Sequence, residues 1–125
     1  MDIWSEFDFN EPLRGQPVRQ INGVDLPADY IEFMRLHNGG EGDVADAAWV
    51  VLFPMEELQE INDDYQIDRY LPDCCIIGSD GGAELYGVDS GGNYFMVPAI
   101  IDRDDMVGSG RTLEEFFLSL KDFYS

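Results

Sequence analysis

Basic residues are scarce in this chain: seven Lys and Arg stand against 26 Asp and Glu, a net charge of −19 over 125 residues. Phosphate contacts are made by Lys and Arg, so this balance argues against direct binding of DNA, RNA or an anionic membrane. Histidine occurs once, at His37, and cysteine twice, side by side at Cys74 and Cys75. One histidine beside two adjacent thiols lacks the ligand spacing of a tetrahedral zinc site. A Cys–His nucleophile would need His37 beside thiols that the pattern places in a buried strand, where a low pKa is not expected. Ser79 has no further histidine from which to build a triad. Neighbouring residues of a strand point to opposite faces, so a Cys74–Cys75 disulfide would be strained, and reduced thiols fit a cytoplasmic protein. No apolar run reaches membrane-spanning length, and the opening Met-Asp-Ile-Trp has neither the basic nor the apolar region of a signal peptide.

What is present is a core. Hydrophobic residues make up 45% of the chain, with eight Phe, six Tyr and two Trp. That is too apolar for disorder, and the length suits one domain over residues 1–125, burying about two-thirds of its unfolded surface. A charge this far from zero destabilises the compact state through self-repulsion. It serves either solubility or a surface complementary to a basic partner. Its distribution favours the second: between Arg35 and Arg69 lie nine acids and no Lys or Arg. Such a one-signed field speeds the docking of a positive partner.

The order of elements follows from turn residues and periodicity. Residues 1–25 read as an irregular, extended arm, with Phe7 and Phe9 alternating with polar residues and Pro12, Gly15, Pro17 and Gly23 punctuating the rest. Leu26 to Gly40 reads as a helix: Pro27 suits its first position, Asp29 its positive end, and Asn38-Gly39-Gly40 a left-handed stop. Tyr30, Phe33, Met34 and His37 share the spacing of a buried face. Glu41 to Ala48 reads as an acidic loop. Trp49 to Phe53 is a strand, apolar throughout and so expected in the centre of a sheet, with Trp49 in the core. Pro54 starts a short helix facing Met55, Leu58 and Ile61 inward, and Asn62 to Tyr70 reads as a polar connection.

Residues 71–89 carry the clearest signal. Cys74–Ile77 and Leu85–Val88 read as strands joined by Gly78-Ser79-Asp80-Gly81-Gly82-Ala83-Glu84, because Gly81 and Gly82 accept positive φ at low cost. Tyr86 is expected in the core. Asp89 to Asn93 turn the chain into a further strand, Tyr94–Pro98, paired with Leu85–Val88. Ile100 to Gly110 reads as a loop. Thr112 and Glu115 form a capping box for a last helix, whose apolar stripe is Leu113, Phe116, Phe117, Leu120, Phe123 and Tyr124. Helices flanking three or four antiparallel strands give an α+β domain with a central, mostly antiparallel sheet.

No cofactor or metal site is expected. Neither Asp102 to Asp105 nor Asp80 to Glu84 keeps the ligand spacing of an EF-hand, and the Gly-rich turn lacks the lysine and helix start of a phosphate loop. The glycines read as turn formers. The acids beside them, Glu41, Asp43, Asp46, Asp80 and Glu84, are the candidate partner-binding residues.

Three segments taken in order carry a family resemblance: Leu26-Pro27-x-Asp29-Tyr30-x-x-Phe33 ending in Asn38-Gly39-Gly40-Glu41-Gly42, then Leu52-Phe53-Pro54-Met55-Glu56-Glu57-Leu58, then Ile77-Gly78-Ser79-Asp80-Gly81-Gly82-x-Glu84-x-Tyr86. Met96-Val97-Pro98 and Thr112-Leu113-Glu114-Glu115-Phe116 close the pattern. The chain resembles the SUKH superfamily over about residues 26–120, in the branch related to fungal cell-wall assembly regulators of the Smi/Knr type. Relatives usually carry a full helix before the Leu-Pro motif, for which Pro12, Gly15, Pro17 and Gly23 leave little room. The resemblance implies an α+β fold without catalytic residues. It also implies a non-enzymatic bacterial immunity protein that neutralises a cognate toxin, often a nuclease or deaminase. The partner would then be a basic toxin domain. The competing expectation is a regulatory scaffold like the fungal relatives, favoured by a long disordered tail of which these residues show none. None of these features specifies an oligomeric state.

Overall fold

The computed structural model describes residues 3–46 and 48–123, and of these the side chains of Ser109, Asp122 and Phe123 are left aside. In chain order the elements are β1 (Phe7–Phe9), β2 (Gln20–Ile21), β3 (Val24–Asp25), α1 (Ala28–Leu36), β4 (Gly40–Val44), β5 (Ala48–Leu52), α2 (Leu58–Asp64), α3 (Ile67–Tyr70), β6 (Cys74–Ser79), β7 (Glu84–Asp89), β8 (Tyr94–Pro98), β9 (Val107–Gly110) and α4 (Leu113–Phe123). Strands β4 to β9 follow one another across an antiparallel meander, and β1 adds to its β4 edge, giving seven strands in the order β1-β4-β5-β6-β7-β8-β9. The expected α+β domain is observed, with a wider sheet than the three or four strands read from the sequence.

The sheet separates two apolar clusters, and strand alternation decides which residue joins which. Cys75, Ile77, Tyr86, Val88, Tyr94 and Met96 face the larger cluster, with Tyr30 and Met34 of α1 and Phe116, Phe117 and Leu120 of α4. Cys74, Ile76, Leu85, Phe95 and Val97 face the opposite way, onto Ile67 and Leu71 at the ends of α3. The two cysteines therefore lie on opposite sides of the sheet, as their adjacency predicts. Gly87 is required on this second face, because a Cβ there would come within 2.7 Å of the Cys75 carbonyl oxygen and would meet the Phe95 ring.

Several sequence expectations are corrected. Glu41 to Ala48 is not a loop: Gly40 to Val44 form β4, with Gly40, Gly42 and Val44 buried and Glu41 and Asp43 exposed. The alternation is regular, but glycine occupies two of its inward positions and hides it. A side chain at Gly40 would collide with the Asp8 carbonyl, and one at Gly42 with the Glu6 carbonyl, as β1 passes alongside. Asn62 to Tyr70 is not a plain connection but holds the end of α2 and all of α3, with Asn62 and Ile67 fully buried. Ile61, expected inward, is half-buried. Part of the Ile100 to Gly110 loop is the edge strand β9, paired to β8 through Phe95–Gly108 and Met96–Val107. Its two glycines and single Val carry no apolar alternation, so only the pairing identifies it.

The helix boundaries differ in detail. Pro27 precedes α1 as its cap, in extended conformation, and His37 ends the helix extended (φ −142°) rather than left-handed. Positive φ comes two residues later, at Gly39 (+88°), where a side chain would strike the Leu52 carbonyl. Of the predicted buried face of α1, Tyr30 and Met34 are buried, while Phe33 and His37 are half-buried among the rings of Trp4 and Phe9. No helix precedes α1 among the described residues; the space holds β1 and the β2–β3 ribbon. At α4 the Thr112 hydroxyl accepts the Glu115 amide (3.1 Å), while Glu115 accepts from the Arg111 amide rather than from Thr112. Tyr124, expected on the α4 stripe, lies outside the described residues, as does the Phe123 side chain.

Candidate functional site

The register places one row of side chains across six strands on the second face: Asp8, Glu41, Val51, Ser79, Leu85 and Val97. Along this row the environment changes. Val97 and Leu85 are buried beneath α3, Ser79 and Val51 are half-buried, and Glu41 and Asp8 are in solvent. The second face is thus covered over β6–β8 and open over β1, β4 and β5.

Trp49 stands on the open half. It was expected in the core, yet 48% of its surface is exposed. The reason is alternation: Ala48, Val50 and Leu52 take the inward positions of β5, so Trp49 and Val51 must point out. Its direct cross-strand partner is Asp43, and that of Val51 is Glu41. Partners of this kind share a face with Cβ atoms about 5 Å apart. On the other side, the β6–β7 turn closes against the indole, since a Cβ at Gly81 would lie 3.4 Å from the Trp49 ring. Trp49 therefore links the two groups of candidate acids.

The five candidates are placed as follows. Glu41 and Asp43 are exposed on the open face. Asp46 lies exposed in the β4–β5 turn with positive φ (+53°). Asp80 is engaged with its own turn, its Oδ1 accepting from the amides of Gly82 (2.8 Å) and Glu84 (3.2 Å). Glu84 is half-buried at the start of β7, and its carboxyl titrates above the usual range, first because of burial and then because Asp80 and Asp105 lie close by. The structure joins Glu41 and Asp43 around Trp49, brings the Asp80 turn to the indole edge, and leaves Asp46 at a strand tip. Ala48–Leu52 is apolar at every position, so its sequence carries no signal that Trp49 is the residue left pointing outward.

The remaining reactive groups are packed away. His37 stacks on Phe9 with ring centres 4.2 Å apart. Both thiols are buried; burial pushes Cys75 up to about 12, against a hydrogen bond from Asn62, and raises Cys74 against the opposing pull of Arg103. Among the described residues no three His, Cys, Asp or Glu side chains form a group able to hold a metal, and no helix is long and apolar enough to cross a membrane.

Comparison with known proteins bears on nearly the whole chain. The model of the SMI1 / KNR4 family (SUKH-1) matches residues 16–123, in agreement with the resemblance read from the sequence. The match begins before residue 26 and so takes in the β2–β3 ribbon. No curated protein matches significantly.

Proposed function

The chain belongs to the SMI1 / KNR4 family (SUKH-1), and from that premise we propose that it is a non-enzymatic immunity protein acting in the cytoplasm, which binds a cognate bacterial toxin and blocks its active site. The observation that carries this reading is the family match over residues 16–123, since membership is typical of immunity proteins. The charge supports a basic partner: a net −19 complements the cleft of an enzyme that binds phosphates, such as a nuclease. Binding by occlusion requires no nucleophile or base, consistent with a lone histidine packed on Phe9 and thiols held protonated.

The test is co-expression with the toxin encoded beside its gene, which should restore growth. Failure of a folded protein to do so, or the lack of any neighbouring toxin, overturns the reading. A regulatory scaffold is the second reading, favoured by the fungal relatives; recovery of several housekeeping proteins and no toxin in a pull-down would select it.

A further inference from the structure

The open half of the sheet combines three features not found together elsewhere among the described residues. An aromatic side chain stands out from a strand rather than from a loop. Carboxylates face it from the adjacent strand, and the nearby chain carries no compensating cation. We propose that this face, centred on Trp49 and flanked by Asp43 and Glu41, is the docking site for an arginine-bearing surface of a protein partner, the guanidinium lying over the indole. The proposal rests on the immunity reading for the identity of that partner but not for its chemistry.

Three arguments select the occupant. The first is charge: Asp43 is the cross-strand partner of Trp49, Glu41 that of Val51, and Asp8 that of Glu41, so the acids follow one another along the face. No Lys or Arg occurs from residue 36 to 68 to neutralise them. The second is the aromatic itself. A guanidinium is planar, stacks on an indole and can pair with a carboxylate through its edge at the same time, which an ammonium cannot do as well. The third is rigidity. Trp49 is paired with Asp43 of β4 on one side, and on the other the Gly81 turn lies against one edge of the ring, so less side-chain entropy is lost on binding than for a free aromatic. Exposed Trp side chains ringed by polar residues are the usual anchors of protein interfaces. Among the described residues the other exposed aromatics are already engaged or lie apart. Phe9 stacks on His37, while Tyr65 and Tyr70 line a separate cleft with Ile100, where Arg69 lies over the Tyr70 ring at 5.3 Å.

The test uses the full chain and the peptide nona-arginine, with nona-lysine as comparison, read by tryptophan fluorescence and by calorimetry. Nona-arginine should quench the wild-type emission and bind more tightly than nona-lysine. Trp49→Phe, which retains Trp4, should lose the quenching, and Trp49→Ala should weaken nona-arginine binding about five-fold or more, the size of a cation–π contact at a partly exposed site. Asp43→Asn with Glu41→Gln should weaken it further. The same number of neutralised acids on α2, Asp63→Asn with Asp64→Asn, should change it less than two-fold. Equal binding by Trp49→Ala, equal loss in the α2 control, or no preference for arginine overturns the proposal. Growth rescue by the wild-type chain is scored separately: rescue that persists in Trp49→Ala and Asp43→Arg variants defeats the docking face, whereas no rescue by wild type defeats the immunity reading alone.

Discussion

The carboxamide of Asn62 completes the hydrogen bonding of Ile76 where the sheet cannot. Its Oδ1 accepts from the Ile76 amide at 2.8 Å and its Nδ2 donates to the Ile76 carbonyl at 3.0 Å. Strand β5 pairs with β6 only at Val51–Ser79 and Leu52–Gly78 before Pro54 turns the chain away. The Ile76 amide and carbonyl would otherwise be buried with unmade bonds, and a side chain from α2 fills in for the missing strand, while the Cys74 amide donates to the Leu71 carbonyl at 3.2 Å. A third bond, from Nδ2 to the Leu58 carbonyl at 2.8 Å, fixes the amide to its own helix.

Asn62→Leu should therefore destabilise the domain by about 2–4 kcal/mol, since each buried backbone group left unpaired costs about 1–3 kcal/mol. Urea unfolding with an unchanged m-value would measure it. A loss under about 1 kcal/mol would mean that water or β5 replaces the amide.

Tyr30→Phe should have the opposite sign. The Tyr30 hydroxyl is buried and has no hydrogen-bond partner among the described residues, so removing it should be neutral or stabilising by about 1 kcal/mol in thermal unfolding. Tyr94→Phe should instead destabilise by about 1 kcal/mol, because its hydroxyl donates to Asp29 at 2.9 Å. Asp29 also accepts the Leu113 amide at 2.8 Å and so joins α1, β8 and the start of α4.

Both tyrosines are raised above the ordinary phenol value, by burial first and then, for Tyr30, by Cys75 and, for Tyr94, by Asp29. The folded state thus holds these protons more tightly than the unfolded state. Their contribution to stability is complete below the unfolded pKa of about 10 and declines as pH rises above it. Alkaline unfolding should start near that pH, and Tyr30→Phe should shift its onset upward. Absorbance at alkaline pH, followed together with circular dichroism, would register both.

Neither thiol should react with a disulfide reagent in the native state at neutral pH, because Cys75 titrates at about 12 and Cys74 is also raised. Both should react at the rate of global unfolding in denaturant. Fast native labelling of either would show that its cluster opens locally.

Core truncations should distinguish the buried from the half-buried rings of the larger cluster. Phe116→Ala, at a fully buried site between Tyr86 and Tyr94, should cost about 3–5 kcal/mol. Phe33→Ala, at a half-buried ring against Trp4 and Phe9, should cost less than that range. Equal losses in chemical denaturation would show that Phe33 is buried in solution.

If the acids steer a basic partner, its association should slow steeply with ionic strength, because the field is screened beyond about 8 Å at physiological salt. Reversing Glu41, Asp43 and Asp46 to Lys should lower the on-rate in stopped-flow binding to that partner without lowering the unfolding midpoint. A flat salt dependence would assign the charge to solubility alone.

The chain itself determined whatever short-range chemistry could express. Pro27 and Asp29 mark the start of α1, Thr112 and Glu115 that of α4, and the glycine turn between β6 and β7 divides two apolar runs. Cys74 and Cys75 had to face opposite ways because adjacent strand residues do. The family pattern from Leu26 to Phe116 was legible for the same reason, since it is built from such markers. Tertiary structure decided the rest. Gly40 reads as part of a helix stop and Gly42 as a loop residue until β1 is laid beside them, and β9 becomes a strand only by pairing with β8. Trp49 looked like core in an apolar run; the inward places went to Ala48, Val50 and Leu52, and among the described residues no helix buries the outward one. Asn62 looked like the start of a connection, and its value depends on a backbone 14 residues away that β5 fails to reach. Burial of one strand face depends on what packs over it, and local sequence does not record that.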